Sequence, residues 1–215
     1  MAVPASRRLK KASMKHSESF NLILLGDPAS GKGTQAARLI KKYHLYDFDM
    51  GREVRKPQVR AKFNYAKTTG VGKLTPTAVV RDILSCVIPA VPSGQGILFN
   101  GHPKMINEAK LVSRLLKKEG RKDPFVIYLH IPVKETIRRA ASRLEYVNGK
   151  HVKRDDDSLR ALRNRRRYYE VQIAKVRAYF KQRYSMKRID GMGSEAAVGK
   201  RILAAVEHYK KKHAA

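Results

Sequence analysis

The stretch GDPASGKGT follows directly on the apolar run NLILL at residues 21–25 and leads into KGTQAARLIKKY, whose apolar residues have helical spacing. Its glycines, Gly26, Gly31 and Gly33, allow the backbone to bend so that successive amide groups point inward. Lys32 adds a positive charge at the start of the helix, where the helix dipole already favours anions. The pattern G-x-x-x-x-G-K between a strand and a helix is typical of a phosphate-binding loop. The sequence therefore predicts a strand, a phosphate-binding loop and a helix in succession.

Further short apolar runs alternate with longer segments of helical periodicity. Together with the first, the runs are NLILLG (21–26), LYDFDM (45–50), GILFNG (96–101), FVIYLHI (125–131) and MKRIDG (186–191). Near-continuous apolar strands separated by helices indicate a parallel sheet that is covered on both faces. We therefore expect an α/β domain over residues 19–215: a P-loop NTPase-type parallel sheet of about five strands flanked by helices, with ligands at the carboxyl ends of the strands.

The charge balance of the chain is strongly basic. It has 47 Lys and Arg residues against 18 Asp and Glu residues, a formal net charge of +29. Such an excess attracts polyanions, which include nucleotides, nucleic acid and acidic membrane surfaces, although a basic face that is simply solvated gives the same balance. No window approaches the roughly 20 apolar residues that a membrane-spanning helix needs. We therefore expect no membrane span, and we keep non-specific binding of nucleic acid as one hypothesis.

The amino-terminal segment and the single cysteine are two features that can indicate the cellular compartment of the protein. Residues 1–18 are rich in basic residues and Ser and have no apolar core of a secretory signal, so they are predicted to form a basic, disordered tail, with a transit peptide as the alternative. Cys86 lies among helix-spaced Val80, Ile83 and Val87 and is predicted to be a buried core thiol. A lone cysteine offers no disulfide framework and indicates a reducing compartment, so we expect a cytoplasmic protein.

The loop ends in Gly-Lys-Gly-Thr, and this variant, G-x-P-x-x-G-K-G-T, resembles the loop of the adenylate kinase (nucleoside monophosphate kinase) family. Further motifs of that family follow in order along the chain. They are DMGREVR (49–55), GKLTPTAVV (72–80), LFNGHPKMINEA (98–109), IPVKETIRRAASR (131–143), RDDDSLRALRNR (154–165) and IDG (189–191). The resemblance implies a kinase that transfers the γ-phosphoryl of ATP·Mg²⁺ to a nucleoside monophosphate, with AMP as the default acceptor and a monomer as the default state.

The same resemblance divides the chain further. It implies a helical insert that binds the monophosphate at about 50–76 and a short lid at about 143–157. The lid stretch EYVNGKHVKRDDD is rich in turn residues around Asn148 and Gly149, and we expect a small hairpin or loop there. The stretch contains no cysteine, which excludes the structural zinc that some family members carry in the lid.

The resemblance also implies roles for individual residues, with Arg139 stacking on the donor base. The residues expected to bind ATP are Pro28, Ala29, Ser30, Gly31, Lys32, Gly33, Thr34, Arg139 and Arg143. The residues expected to bind the monophosphate are Met50, Gly51, Arg55, Lys73, Leu74, Gly101, Lys104, Glu108, Arg154 and Arg165. The expected catalytic residues are Lys32, Arg143, Arg154 and Arg165. Several converging arginines suit a transfer between two nucleotides, because guanidinium groups bind phosphate oxygens bidentately. Asp156 and Asp157 would belong to the lid, although acids in front of a helix also serve as N-caps.

Several positions depart from the family pattern. Asn100 replaces an aspartate that anchors water around Mg²⁺, so we expect no residue to bind the metal directly. Lys104 replaces an arginine and keeps its charge without the planar fork. Met50 replaces a threonine, Glu108 replaces the glutamine that reads the acceptor base, and His102 replaces a phenylalanine. A carboxylate accepts from an exocyclic amine but cannot donate, so the preferred acceptor base can differ from adenine.

Two other functions remain open from the sequence. The first is a weakly active or inactive adenylate-kinase-like protein that associates with RNA or a ribonucleoprotein, which the charge excess, Asn100 and Lys104 favour. The second is a P-loop kinase for a small metabolite such as shikimate or gluconate, which the acceptor and lid motifs disfavour.

Overall fold

The computed structural model describes residues 19–69, 73–141, 145–147, 150–152 and 159–213, and it describes the side chains of all of these except 145–147, 150–152 and 159–169. The strands are β1 (Asn21–Gly26), β2 (Tyr46–Phe48), β3 (Ile97–Asn100), β4 (Pro124–His130), β5 (Glu145–Val147), β6 (Lys150–Val152) and β7 (Met186–Asp190). The helices are α1 (Lys32–Tyr43), α2 (Met50–Arg55), α3 (Pro57–Arg60), α4 (Thr77–Ala90), α5 (Ile106–Lys118), α6 (Val133–Ala141), α7 (Leu159–Lys181) and α8 (Glu195–His213). The predicted tail, 1–18, lies outside the described residues.

Five strands form one sheet in the order β2-β3-β1-β4-β7, and all four neighbouring pairs are parallel. Each apolar run of the sequence supplies one of these strands. The two central strands are the most apolar: β1 is buried along its whole length, and β4 is buried up to its last residue. This confirms the predicted parallel sheet, and the burial explains why these strands have no polar alternation.

Helices cover both faces of the sheet, and β1 shows how the two layers are divided. Ile23 and Leu25 belong to one core with residues from α4, α5 and α7, while Leu22 and Leu24 belong to a second core with residues from α1 and α8. Successive side chains of a strand point to opposite faces, so each face of β1 needs its own helical layer. The five-stranded sheet is therefore sandwiched between two sets of helices.

Hydrogen bonds tie together the loops at the carboxyl edge of the sheet. The Gly101 amide, just after β3, donates to the Leu24 carbonyl of β1 over 2.9 Å. The Asp27 amide, just after β1, donates to the Leu129 carbonyl of β4 over 3.0 Å. In the sheet, β1 has β3 and β2 on one side and β4 and β7 on the other, so the strand order reverses at β1. Parallel α/β sheets bind ligands at the carboxyl ends of the strands at such a topological switch point.

Two segments lie outside the five-stranded sheet. The first contains α2, α3 and a run of turns up to residue 68. The second contains β5 and β6, which pair antiparallel with Glu145 opposite Val152 and Val147 opposite Lys150. This is the hairpin that the turn-rich stretch predicted, although Asn148 and Gly149 lie outside the described residues. The exact limits of the insert and lid stay predictions.

The position predicted for Cys86 is wrong. It lies on α4 as expected, but its side chain is exposed, while Val80, Ile83 and Leu84 are buried. At about 100° per residue, Cys86 points about 120° away from the middle of this buried stripe. Val80, Ile83 and Leu84 therefore lie on the same helix as Cys86 but on a different face of it. An exposed thiol gives no indication of the cellular compartment.

The two longest helices are rich in charged residues. α7 contains the run RNRRR, and α8 has Lys210, Lys211 and Lys212 in its last turn. Among the described helices, none is both long enough and apolar enough to cross a bilayer.

Candidate active site

The predicted phosphate-binding loop connects the carboxyl end of β1 to α1. Gly26 ends the strand where a side chain has no room, since a Cβ there would lie 2.6 Å from a main-chain oxygen of β4 and 2.9 Å from Ser30 Oγ. Ala29 and Gly31 both have left-handed backbone conformations, with φ of 58° and 87°. The Ser30 amide closes the turn by donating to the Asp27 carbonyl over 3.1 Å. The loop is therefore tightly constrained where it leaves the sheet.

The amino end of α1 is open toward solvent. Its N-cap residue, Gly31, provides no side-chain hydrogen bond, and the first turn contains no acidic residue. Gly33 and Thr34 in this turn are exposed. The first-turn amides have no partner within the helix, and the helix dipole favours a negative charge in front of them. This end of the helix can therefore bind a phosphate group.

The side chain of Lys32 folds back across the loop. Its Nζ donates to the main-chain oxygens of Gly26 at 2.8 Å and Asp27 at 2.7 Å, and it lies 3.4 Å from Ser30 Oγ. Gly101, which follows β3 with a φ of 66°, is placed so that a Cβ on it would lie 3.5 Å from Lys32 Cε. The structure thus brings together two predicted site residues: Lys32, at the start of α1, and Gly101, which directly follows β3.

Sequence reasoning missed the role of Asp27, the variable residue of G-x-P. Its Oδ1 accepts a hydrogen bond from the Tyr128 hydroxyl at 2.5 Å, and its Oδ2 lies 2.8 Å from His130 Nδ1 and accepts from the Ile131 amide at 2.9 Å. Burial and the Asp27 carboxylate raise the pKa of Tyr128. We call Asp27, Tyr128 and His130 the Asp27 cluster. Its members come from segments about 100 residues apart, and no local pattern links them.

The expected acceptor segment forms α2. Asp49 caps this helix by accepting from the Arg52 amide at 3.0 Å, and Met50 is buried in the core below. A Cβ on Gly51 would lie 3.4 Å from Arg55 Nη1, so the guanidinium of Arg55 passes directly over the glycine. Arg55 is exposed, and no carboxylate of the described residues lies within ion-pair distance of it. Arg55 is therefore the available cation of this segment. Lys73 is exposed and Leu74 half-buried at the far end of the insert.

The segment after β3 carries the departures from the family pattern. Asn100 is half-buried at the end of the strand, and Lys104 is half-buried just beyond it. Glu108 is 3% exposed, and its Oε2 accepts from the amides of Lys104 at 2.8 Å and Met105 at 3.2 Å. Burial raises the pKa of Glu108, while these two hydrogen bonds oppose the rise. Glu108 thus caps α5, and reading of the acceptor base by Glu108 stays a prediction.

His102 lies beneath this segment and is 1% exposed. Its ring meets Phe48 edge-on with 5.6 Å between the centroids, and its Nδ1 lies 3.6 Å from Glu108 Oε2. Nε2 is buried and has no hydrogen-bond partner. Burial, together with the nearby Lys104, lowers the pKa of His102 to about 3. Burial therefore favours the neutral imidazole, which contacts both the Phe48 ring and the Glu108 carboxylate.

Arg139 on α6 lies beside the IDG stretch (189–191) predicted to close the motif set. Its Nε donates to Glu135 Oε1 at 2.5 Å, and its Nη2 donates to the Gly191 carbonyl at 3.1 Å. Hydrogen bonds from Arg138 and Arg139 lower the pKa of Glu135 to about 2. Arg139 is thus oriented across the loop that joins β7 to α8. Its stacking on the donor base stays a prediction.

The remaining expected lid and catalytic residues lie at or beyond the edge of the described part of the structure. Arg143, Arg154, Asp156 and Asp157 lie outside the described residues. Arg165 lies on α7, but its side chain is not among those described. Their assignment to the phosphates and the lid therefore rests on the sequence motif.

Comparison with known protein families also identifies a nucleotide-binding enzyme. A family model described as adenylate kinase matches residues 24–185, which include the loop, α2, the segment after β3 and α7. The chain belongs to the adenylate kinase family. This confirms the resemblance seen in the ordered motifs, together with the P-loop α/β fold and the expectation of a phosphotransferase.

Curated relatives match over nearly their whole length. The adenylate kinase of Bacteroides fragilis is 28% identical over 192 residues, which cover 87% of this chain and 98% of the relative. The adenylate kinase of Azobacteroides pseudotrichonymphae is 30% identical over 193 residues, covering 88% and 98%. That of Parabacteroides distasonis is 29% identical over 195 residues, covering 89% and 100%. The family assignment therefore applies to the whole domain.

Proposed function

We propose that this chain is an adenylate kinase in activity, transferring the γ-phosphoryl group of ATP to AMP to give two ADP. The observation that carries the proposal is the position of Lys32. Its ammonium is fixed by two main-chain oxygens of the loop, in front of a helix end without an acidic residue. A fixed cation and oriented amides at one point suit a transferring phosphoryl group, whose negative charge they stabilise without reorganising.

The donor and acceptor would approach from different elements. In the proposed complex the loop 28–34 binds the ATP phosphates, and Arg139 faces the donor base beside Gly191. Arg55, exposed above Gly51, binds the phosphate of AMP as a guanidinium fork. An oxygen of that phosphate attacks the γ-phosphorus while the bond to the bridging oxygen of ADP breaks. Arg143, Arg154 and Arg165 are proposed to neutralise the charge that collects between the two nucleotides.

Mg²⁺ would accompany ATP, and the residues at the site fit this ion. The exposed Thr34 hydroxyl and the half-buried Asn100 amide oxygen are hard oxygen donors, the type that Mg²⁺ prefers. Mg²⁺ keeps several waters and binds mainly through the substrate phosphates, so it needs no carboxylate cage. When bound, the ion offsets phosphate charge. Asn100 would hold its water without adding the negative charge that an aspartate provides.

A coupled assay of ADP formation tests the proposal directly. The purified chain is given ATP, Mg²⁺ and, in separate reactions, AMP, CMP, UMP or GMP, and we expect turnover with AMP to be highest. Asn100→Asp should lower the Mg²⁺ concentration for half-maximal rate, and Lys104→Arg should lower the KM for AMP by restoring a bidentate contact. No metal-dependent transfer in any of the three proteins would overturn the proposal.

An RNA-binding titration belongs beside this assay. With a net charge of +29, binding of nucleic acid through phosphate contacts should weaken steeply as salt rises. Strong RNA binding at physiological salt in an inactive protein would favour the RNA-associated alternative. We expect a monomer, which size-exclusion chromatography with light scattering tests, and a cytoplasmic location, which imaging of the full chain tests.

A further inference from the structure

The carboxyl-terminal ends of α1 and α8 meet at the amino edge of the sheet. α1 leads from the end of β1 back to the start of β2, so its last turn lies at this edge. Tyr209, near the end of α8, stacks on Phe125 of β4 with 4.5 Å between the ring centroids, and its hydroxyl donates to the Asp123 carbonyl over 3.3 Å. α1 has 12 residues, so about 18 Å separate this edge from the phosphate-binding loop.

Five lysines lie where the two helices meet, and we call them the lysine cluster. They are Lys41 and Lys42, in the last turn of α1, and Lys210, Lys211 and Lys212, in the last turn of α8. The ammonium groups of Lys42 and Lys210 both lie over the ring of Tyr43, at 5.3 and 5.2 Å from its centroid. Because both contact one ring, the lysines of the two helices form one surface.

Carboxylates compensate only part of the positive charge at this edge. The segments of the described chain that reach it are 19–21, 41–46, 88–97, 116–125, 178–187 and 206–213. They contain twelve Lys and Arg residues against three acidic residues, Glu119, Asp123 and Glu207, which leaves an excess of nine positive charges. The carboxyl-terminal ends of α1, α4, α5, α7 and α8 also lie here, and each offsets about half a charge. The edge therefore remains positive.

Three lysines of the cluster are available to a ligand. Glu207 lies 3.3 Å from Lys42 Nζ, so its negative charge offsets the charge of that lysine. Lys41, Lys211 and Lys212 are exposed, and none of their ammonium groups forms an ion pair or a hydrogen bond with a described residue. Exposed ammonium groups of this kind bind phosphate oxygens as point charges.

The basic amino-terminal segment joins the domain at the same end. Phe20 meets Tyr43 edge-on with 5.4 Å between the ring centroids, and Lys210 Nζ lies 5.7 Å from the Phe20 centroid. Residues 1–18, which end two positions before Phe20, contain five Lys and Arg residues and one acidic residue. The chain therefore attaches a further four positive charges beside the lysine cluster.

The chemistry of this surface favours a nucleic acid over a lipid bilayer. Binding to a membrane surface combines charge with apolar side chains that enter the bilayer. The large apolar residues that are exposed in the described structure are Val133, Ile137 and Val171, and they lie on α6 and in the middle of α7, away from this end. The Tyr43 and Tyr209 rings are covered by lysine and histidine side chains. Charge without apolar anchors matches a phosphate backbone, whose contacts with lysine supply most of the affinity for nucleic acid.

We propose that the lysine cluster binds the phosphate backbone of a nucleic acid strand, at the edge of the sheet opposite the candidate active site. Lys41, Lys211 and Lys212 contact the phosphates, and the charge of residues 1–18 strengthens the attraction. Phosphate contacts read no base sequence, so RNA and DNA of equal length bind alike. The proposal does not depend on the proposed kinase activity, because none of the residues expected to bind ATP or AMP belongs to the lysine cluster.

Fluorescence anisotropy of a labelled oligouridylate of about 20 nucleotides tests the proposal with the full chain. Saturating ADP is present, so that the predicted nucleotide sites are occupied. We expect saturable binding at about 0.15 M salt that weakens steeply as salt rises, and an affinity for oligothymidylate within about threefold. The triple variant Lys41→Gln, Lys211→Gln and Lys212→Gln should bind about tenfold or more weakly. The slope of log affinity against log salt should fall by about two, because each contact to a single strand contributes about 0.7.

The matched control removes the same charge at the other edge. The triple variant Lys110→Gln, Lys134→Gln and Lys200→Gln changes three exposed lysines in the first two turns of α5, α6 and α8. At about 0.15 M salt the Debye length is about 8 Å, so these distant charges should change the affinity by less than about twofold. Circular dichroism checks that both variants are folded, and the coupled ADP assay reports on kinase activity separately. Equal weakening by both triple variants, no salt-dependent binding by the wild-type chain, or binding to phosphatidylserine vesicles in preference to the oligonucleotides would overturn the proposal.

Discussion

The main-chain oxygen of Asp27 accepts a hydrogen bond from Lys32 Nζ at 2.7 Å, while the carboxylate of the same Asp27 is bound by Tyr128 and His130 of β4. Asp27 therefore couples the position of the Lys32 ammonium to the end of β4. A substitution in the Asp27 cluster should therefore alter the conformation of the phosphate-binding loop and weaken ATP binding. None of the side chains of the cluster is itself a predicted phosphate contact.

Asp27→Asn tests this coupling. The amide group of asparagine cannot accept from all three donors, so one buried partner loses its hydrogen bond, and the free energy of unfolding should fall by about 1–3 kcal/mol. The KM for ATP should rise severalfold, with a smaller effect on the KM for AMP. Denaturant unfolding and steady-state kinetics measure both. Asp82→Asn, at an exposed carboxylate on α4, is the control. An unchanged KM for ATP would show that the loop keeps its shape without the cluster.

Lys32→Ala should leave the fold intact and reduce turnover by a factor of about 1000 or more, because the transferring phosphoryl group loses its fixed cation. Lys41→Ala, in the exposed last turn of the same helix, removes an equal charge away from the loop and should remain near wild type. The coupled ADP assay compares the two variants at matched protein concentration. Turnover of the Lys32 variant within a few-fold of wild type would contradict the proposed role.

Arg55→Ala should raise the KM for AMP by about tenfold or more while the KM for ATP changes little, since a lost charge-assisted contact affects only the nucleotide that makes it. Arg81→Ala provides the comparison, because Arg81 is exposed on α4. A parallel rise of both KM values in Arg55→Ala would instead indicate a general distortion of the insert.

Glu108→Gln separates capping from base recognition. The glutamine amide oxygen can still accept from the Lys104 and Met105 amides, so the melting temperature should change little, whereas Glu108→Ala should lose about 1 kcal/mol of stability with the cap. If Glu108 reads the acceptor base, Glu108→Gln changes the ratio of kcat/KM for AMP to that for UMP and leaves the KM for ATP unchanged. An identical acceptor profile would limit Glu108 to the capping role.

His102 makes the stability of the fold sensitive to acid. Burial lowers the pKa of His102 to about 3 in the folded protein, from an ordinary value near 6.5 in the unfolded chain. Below pH 6.5 the unfolded chain therefore binds a proton that the folded protein does not. The free energy of unfolding is unaffected by this group above pH 6.5 and falls as the pH drops from 6.5 toward 3. His102→Phe removes this term, so its stability relative to wild type should increase by about 1.4 kcal/mol per pH unit between pH 6 and pH 4. Urea unfolding at several pH values measures the slope.

The control for this slope is His208→Gln, at an exposed position on α8. It should show the same pH dependence as wild type over this interval. A His102→Phe curve parallel to that of wild type would contradict the prediction, whatever the difference in stability at neutral pH.

Contiguous stretches of sequence determined the sheet and the phosphate-binding loop. The strand β1 and the helix α1 begin and end where their apolar spacing and glycines predicted, with Lys32 at the first helical position. The physical reason is local. A central parallel strand is buried at every residue, so it appears in the sequence as a continuous apolar run. The loop needs backbone freedom, so it appears as closely spaced glycines. Family motifs of similar length also predicted Arg55 and Gly101 as site residues, and their roles stay predictions.

Tertiary structure alone decided the contacts between distant segments. Asp27 meets Tyr128 and His130 only because β1 and β4 are neighbours in the sheet, and Arg177 and Arg188 line one cavity only because α7 packs over β4 beside β7. The exposure of Cys86 depends on which face of α4 meets the core. These properties arise from packing between elements that are far apart in the chain, and no local periodicity encodes which side chains will meet.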